Sequence, residues 1–239
     1  MRVNEVFLSL QGEGPNVGKP TVFVRLQGCN LEPGCSYCDT RYARKSDGSG
    51  TEQTVTALLN TVRAVGCDCG QICITGGEPL LQLDQLKEFV CRLSSANQVE
   101  IFTNGSILPE TATGTFLFGP GINWVVDIKV PSSGVCGTSQ FEWWARRLTR
   151  ANGVLKFTVD NEEDIAFVEK CMKSSVTCAG VLVSPVFEAS AFTSQHEGLI
   201  SVKESQLEWS RRVVDICKGY NYRFSLQVHR VLYGNKRGV

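Results

Sequence analysis

Apolar residues along the chain fall into two alternating kinds of run. Short β-branched stretches flanked by Gly, Pro, Asn or Asp predict strands at Thr21–Leu26, Ile72–Thr75, Val99–Phe102, Trp124–Ile128, Val154–Val159 and Val181–Val183. Between them, apolar positions spaced by three and four predict helices over Val55–Val65, Leu83–Leu93, Phe141–Leu148, Glu162–Met172 and Glu204–Cys217. This alternation implies parallel strands joined by crossover helices, hence an α/β barrel, a partial barrel or an open doubly wound sheet. Thr111–Pro120 and Ser190–Ile200 read as loop insertions, and His229 as part of an alternating C-terminal strand. No repeat or linker divides the chain, so a single domain over residues 1–239 is expected.

The strand ends carry unusual residues. Ile74 runs into Thr75-Gly76-Gly77-Glu78-Pro79, Phe102 into Thr103-Asn104-Gly105, Val126 into Asp127-Ile128-Lys129, and Val183 into Ser184-Pro185. Ligands of parallel α/β proteins sit at the carboxyl ends of the strands, so these four ends are expected to converge on one site.

Composition narrows the classes. The 24 basic side chains balance 24 acidic ones, which disfavours a protein that relies on a strongly positive surface to grip nucleic acid. Hydrophobic residues make up 42% and charged residues 20%, the profile of a folded chain rather than a disordered one. Met1-Arg2-Val3-Asn4-Glu5 does not open a signal peptide, and no window has the roughly 18 apolar residues of a membrane span, so a cytoplasmic protein is expected. In that reducing compartment 11 cysteines point to metal, cluster or redox chemistry, or to buried small apolar residues, rather than to disulfides.

Three of these cysteines stand in one loop after a strand, Cys29-Asn30-Leu31-Glu32-Pro33-Gly34-Cys35-Ser36-Tyr37-Cys38, with spacing Cys-x5-Cys-x2-Cys. Pro33-Gly34 supplies a turn that brings Cys29 back over the other two. Three thiolates with an open fourth position suit a 4Fe–4S cluster with one free iron. Zinc completed by a remote ligand, or coincidence, are the alternatives the spacing leaves open. Cys67 and Cys69 read as unremarkable thiols. Arg25 is a functional candidate or a structural partner of Glu13. Asp127 and Lys129 alternate on a strand and are placed to form an ion pair, while Arg146-Arg147 and Arg211-Arg212 read as solvated helix faces.

The three-cysteine loop, with Tyr37 before its last cysteine, and Gly76-Gly77-Glu78-Pro79 resemble the cluster and S-adenosylmethionine (SAM) motifs of the radical SAM superfamily. The superfamily's common spacing is Cys-x3-Cys-x2-Cys, so the first gap is two residues longer here. Further segments are similar to one family, the 7-carboxy-7-deazaguanine synthases. They are Ser9-Leu10-Gln11-Gly12-Glu13-Gly14, Phe23-Val24-Arg25, Cys38-Asp39-Thr40, Thr103-Asn104-Gly105, Asp127-Ile128-Lys129 with Pro131-Ser132-Ser133-Gly134, Gln227-Val228-His229 and Arg237-Gly238-Val239.

This resemblance implies a partial (β/α) barrel of the radical SAM type and a lyase that turns 6-carboxy-5,6,7,8-tetrahydropterin into 7-carboxy-7-deazaguanine with loss of ammonia. The implied cofactors are a 4Fe–4S cluster, SAM and Mg²⁺. The product leads to the tRNA bases queuosine or archaeosine. It implies that Cys29, Cys35 and Cys38 hold the cluster, that Thr40 binds Mg²⁺, and that Leu10, Gln11, Gly12, Arg25, Thr75 and the terminal Val239 meet the substrate. SAM is implied to lie against Tyr37, Cys38, Asp39, Gly77, Glu78, Asp127, Ile128 and Lys129, and against Ser184, Pro185, Val186 and Phe187. Gly77 is expected to let the methionine end of SAM approach bare backbone, and Glu78 to meet its ammonium. The implied partners are the small pterin, an external electron donor such as flavodoxin, and a second copy of the chain in a homodimer, with no nucleic acid or membrane. Two other classes stay open: a radical SAM activase that installs a glycyl radical on a partner enzyme, and a non-catalytic zinc-binding module.

Overall fold

In the computed structural model, the six strands and five helices predicted with bounds form at their expected places, whereas the expected C-terminal strand around His229 does not. Residues 1–45, 49–66, 70–94, 97–109, 118–174, 177–187, 192–194, 200–234 and 236–238 are described. The order is β1 (Arg2–Leu10), β2 (Pro20–Leu26), β3 (Thr51–Glu52), α1 (Val55–Gly66), β4 (Gln71–Gly76), α2 (Leu83–Ser94), β5 (Gln98–Thr103), β6 (Ile122–Ile128), α3 (Phe141–Arg147), β7 (Thr149–Val159), α4 (Glu162–Ser174), β8 (Cys178–Pro185), β9 (Phe192–Ser194), β10 (Ile200–Val202), α5 (Glu204–Tyr220), β11 (Arg223–Phe224) and α6 (Val228–Tyr233).

Nine strands form one sheet in the order β11-β8-β7-β6-β5-β4-β2-β1-β3. From β2 to β11 every pair is parallel, and β1 and β3 extend the edge antiparallel. The sheet is the wall of an open, partial barrel. Because side chains alternate across a pleated strand, each parallel strand serves two environments. Ile72, Ile74, Val99, Ile101, Trp124, Val126, Leu155, Phe157, Val181 and Val183 enter the core, where they meet helix residues such as Leu58, Phe89, Trp144, Val168 and Val213. Their neighbours in sequence face the other way. Cys73, Thr75, Phe102, Asp127, Lys156 and Thr158 line cavities, over a small apolar floor of Val125, Val154 and Leu182.

The structure departs from the sequence-based expectation at several elements. Residues 2–10 form β1, whose period-two pattern is broken by a register shift between Val3 and Glu5 and by Glu5 itself, which faces Arg25 across the pair. Within the expected Ser190–Ile200 loop, β9 pairs with β10, which runs on to Val202, as a small antiparallel sheet. His229 lies on the helix α6 instead of a strand. The alternation of Phe224, Leu226 and Val228 ends where the helix begins; His229, Arg230 and Tyr233 stand on one cavity wall, and the helix stops at Gly234. Of Thr111–Pro120, residues 111–117 lie outside the described residues, as do Cys67 and Cys69. Among the described residues no helix is long and apolar enough to cross a membrane. Arg146, Arg211 and Arg212 are exposed as expected, in surface pairs with Glu142, Glu204 and Glu162.

Candidate active site

The three-cysteine loop leaves β2 and is held at both flanks. Gly28 N donates to Ala43 O (2.8 Å) and Cys29 N to Arg44 O (3.1 Å), while Ser36 N donates to Ser133 O (3.0 Å) in the loop after β6. Cys29, Cys35 and Cys38 are all free, partly buried, and line one cavity. Burial pushes the Cys29 and Cys35 thiols up, so loading a cluster there releases protons. Among the described residues no three His, Cys, Asp or Glu side chains converge within reach of one metal ion. Three free thiols around one cavity are the donor set of a 4Fe–4S cluster with one open iron.

The end of β4 forms the next wall. Gly77 lines the cavity, but a Cβ there would overlap the Gly28 carbonyl oxygen. Its lack of a side chain therefore serves the seam between the β2 and β4 ends, where Glu78 N donates to Gly28 O (2.7 Å) and Gly77 N to Leu26 O (3.1 Å). Glu78 is fully buried, and its carboxylate accepts from Leu80 N (2.9 Å), Thr103 Oγ1 (2.8 Å) and Asn104 N (2.7 Å). Burial raises its pKa although these donors oppose the shift. The Glu78 side chain thus ties the β4 end to the β5 end inside the fold.

Four charges cross the cavity behind the thiols. Lys129 Nζ lies 2.8 Å from Asp127 Oδ2, the expected pair, and Lys156 Nζ lies 2.8 Å from Glu13 Oε2 and 3.8 Å from Asp127 Oδ2. Burial would raise Asp127, but Lys129 and Lys156 hold its carboxyl below the usual range. Burial likewise works against charged Lys129 and Lys156, and the facing carboxylates overcome it, raising both. Tyr37 Oη, Asp127 Oδ1, Thr158 Oγ1 and Arg44 Nε are buried without a hydrogen-bond partner, all on residues that line this cavity. Buried polar atoms left unpaired are costly, and a polar ligand in the cavity can satisfy them.

A second cavity adjoins the first. Glu13, Asp39, Thr40, Thr75 and Phe102 line both. The second is cationic, with Arg25, Arg230, Lys236 and Arg237 in its wall. Arg25 Nε donates to Glu5 Oε1 (2.7 Å), and Tyr42 Oη donates to the same oxygen (2.9 Å), so Glu5, not Glu13, is its structural partner. Arg237 stacks on Tyr42, 3.3 Å from guanidinium carbon to ring centroid. The C-terminal helix closes the cavity: Val228 N donates to Gly12 O (2.8 Å), and His229 Nε2 lies 3.4 Å from Asp39 Oδ2. Burial would raise Asp39, but His229, Arg230 and Arg25 hold its carboxyl well below the usual range.

Of the expected site residues, Leu10, Gln11, Gly12 and Arg25 meet in the cationic cavity. Tyr37, Cys29, Cys35, Cys38, Gly77, Asp127 and Lys129 meet in the thiol cavity. Ile128 faces the core, one position out of phase with its neighbours on β6. Ser184, Pro185, Val186 and Phe187 are buried and line neither cavity, although Ser184 Oγ has no partner. Val239 lies outside the described residues. Sequence reasoning gave no site role to Glu13, Phe102, Lys156 or Thr158. The signal for the last two was present, as Lys156-Phe157-Thr158 alternates polar, apolar, polar at a strand end.

Comparison with known proteins follows this geometry. The model of the radical SAM superfamily matches residues 23–113. A 7-carboxy-7-deazaguanine synthase of Methanospirillum hungatei is 36% identical over 190 residues, 78% of this chain and 73% of the relative. One of Thermoplasma acidophilum is 33% identical over 245 residues, the whole of both chains. The crystal structure of QueE from Escherichia coli aligns with a TM-score of 0.67 at 21% identity, covering 95% of this chain and 94% of that one. Streptococcus suis SuiB bound to S-adenosylmethionine aligns with a TM-score of 0.57 at 17% identity, over 84% of this chain and 48% of its own. At these identities the two solved structures speak for the fold.

One buried carboxyl beneath the second cavity gives a pH test. Glu100 on β5 accepts from Gln11 Nε2 (2.5 Å) and Asn16 Nδ2 (2.9 Å), pinning the loop between β1 and β2. Burial pushes it up to about 7, with Glu13 adding to the rise and the two amides opposing it. A carboxyl raised on folding gives stability that is present near its ordinary value of 4.5 and lost as pH climbs towards 7. Its contribution should fall by roughly 3 kcal/mol across that window. Urea unfolding at several pH values should therefore show a flatter profile for Glu100→Gln than for the parent; equal slopes would contradict the assignment.

Proposed function

Because the chain belongs to the 7-carboxy-7-deazaguanine synthase family, we propose that its paired cavities rearrange 6-carboxy-5,6,7,8-tetrahydropterin to 7-carboxy-7-deazaguanine with loss of ammonia, a step towards queuosine or archaeosine. The observation that carries this reading is one wall shared by a cavity rimmed with three thiols and a cavity rich in cations. The cofactors are those of radical SAM enzymes, a 4Fe–4S cluster and SAM.

In this reading Cys29, Cys35 and Cys38 hold the cluster. The unpaired groups of Tyr37, Asp127 and Thr158 receive the polar parts of SAM, with Gly77 backbone and Lys129 beside them. When bound, the cluster and SAM supply an electron and a 5′-deoxyadenosyl radical. The chain's own residues place the substrate. Arg25 and Arg237 offer two guanidinium groups for its carboxylate, and a planar fork can bind such a group at two points. Leu10, Gln11 and Gly12 hold one edge of the pterin by backbone, and Thr75, in the shared wall, sets its distance from SAM. The buried ion pairs of Glu13, Lys156, Asp127 and Lys129 fix the floor between the two ligands, and His229 with Val228 closes the cavity over them. Ser184 Oγ is a further polar group on the β8 side, within the segment Ser184–Phe187 assigned to SAM. Thr40, also in the shared wall, would hold Mg²⁺ together with substrate and water oxygens, since one neutral hydroxyl is a weak ligand by itself. The reading further assigns a cytoplasmic homodimer that draws electrons from an external donor such as flavodoxin and needs neither nucleic acid nor a membrane.

Anaerobically reconstituted protein, given reductant, SAM, Mg²⁺ and the carboxytetrahydropterin, should form the deazaguanine, read by chromatography. Cys35→Ala should lose both cluster and product, whereas Cys91→Ala, at an exposed helix position, should keep both. A full cluster that cleaves SAM without deazaguanine would reject the substrate assignment. Thr40→Ala should blunt the response of the rate to Mg²⁺ without lowering iron content. An unchanged Mg²⁺ titration would reject Thr40 as ligand.

A further inference from the structure

The five residues between Cys29 and Cys35 form a longer spacer than the superfamily's usual three, and they gain little from packing. Leu31 is buried, but Asn30, Glu32 and Pro33 are exposed. Polar anchors must therefore define the spacer's shape. Its first part is tied to the β5 end, where Asn104 Nδ2 donates to Asn30 Oδ1 (3.1 Å) and Asn30 Nδ2 to Ser106 Oγ (2.9 Å). Its second part closes on a single side chain. Arg44 Nη2 donates to Pro33 O, and Gly34, at φ 94°, wraps the guanidinium so closely that a Cβ would overlap it. The Arg44 carbonyl accepts from Cys29 N (3.1 Å), so one residue grips the spacer at both ends. Arg44 also lines the thiol cavity, and its buried Nε has no partner there. Arg41, three residues earlier, treats the short second spacer the same way, Nη2 donating to Ser36 O (2.6 Å).

We propose that Arg44 is a positioning residue that holds the extended Cys29–Cys35 spacer closed around the cluster, its guanidinium filling the hollow at Gly34 and anchoring Pro33. This rests on the cluster reading above. A cation beside three thiolates also offsets their charge, and charge and hydrogen bonding near a cluster set its reduction potential. Replacing Arg44 should therefore loosen the cluster and make it harder to reduce.

The test is iron release to a chelator from anaerobically reconstituted protein, with the midpoint potential followed by electron paramagnetic resonance. The variants are Arg44→Ala, Arg44→Lys, Gly34→Ala and the double variant Arg44→Ala with Gly34→Ala. The parent should hold about four irons per chain; if it holds none, the cluster reading fails, and with it the proposal. Arg44→Ala should release iron roughly tenfold faster, the factor carried by a hydrogen bond from a charged donor, and titrate at a more negative potential. Arg44→Lys, which keeps charge but not the fork, should retain the potential more nearly than the release rate. Gly34→Ala expels the same guanidinium, so the double variant should release iron no faster than the faster single one. Parent-like release from Arg44→Ala, or a double variant whose rate is the product of the two single effects, would overturn the proposal.

Discussion

The Glu78 carboxylate is the constraint on which the rest of the site depends. It sits at no exposure at the end of β4, where three donors from two different strand ends converge on it. A carboxylate is costly to bury unless its oxygens are paired, so this arrangement forms as a unit or not at all. Its backbone N–H binds Gly28, which places Cys29. Its side chain binds Thr103 and Asn104, and Asn104 in turn holds Asn30 in the cysteine loop. One buried group thus fixes the ends of β2, β4 and β5 relative to one another, and with them the first thiol.

Beyond that seam the pleat does the sorting. Each central strand sends one set of side chains into the helix-covered core and the alternate set into the cavities, so a single register decides both stability and chemistry. Glu13, Lys156, Asp127 and Lys129 then form a continuous buried charge network under the wall common to both cavities. Such pairs contribute little net stability, since desolvation offsets attraction, but they hold their members in one geometry. That rigidity suits the proposed reaction between two ligands across the shared wall.

Much of this was legible in the sequence because periodicity and strand-end chemistry coincide. The parallel strands, their helices, the cysteine loop and the Asp127–Lys129 pair follow from local pattern. The edge strand β1 was hidden by a bulge and by Glu5, whose partner Arg25 is 20 residues away. The helix α6 was misread because Phe224, Leu226 and Val228 alternate on the approach to it, over too short a span to separate a period of two from 3.6. Glu78 and Gly77 also serve contacts between strand ends, which only the folded chain reveals. Ile128, between Asp127 and Lys129 on the same strand, turns its side chain into the core, as the pleat requires.

The central claim is that the thiol cavity and the cationic cavity place SAM and pterin within reach of one another across Thr75 and Asp39. It is tested most directly with carboxytetrahydropterin carrying deuterium at C6, turned over by the reconstituted protein, with the 5′-deoxyadenosine analysed by mass spectrometry. Deuterium in the 5′-deoxyadenosine is the predicted result. Product formed while the 5′-deoxyadenosine stays free of label would contradict the account.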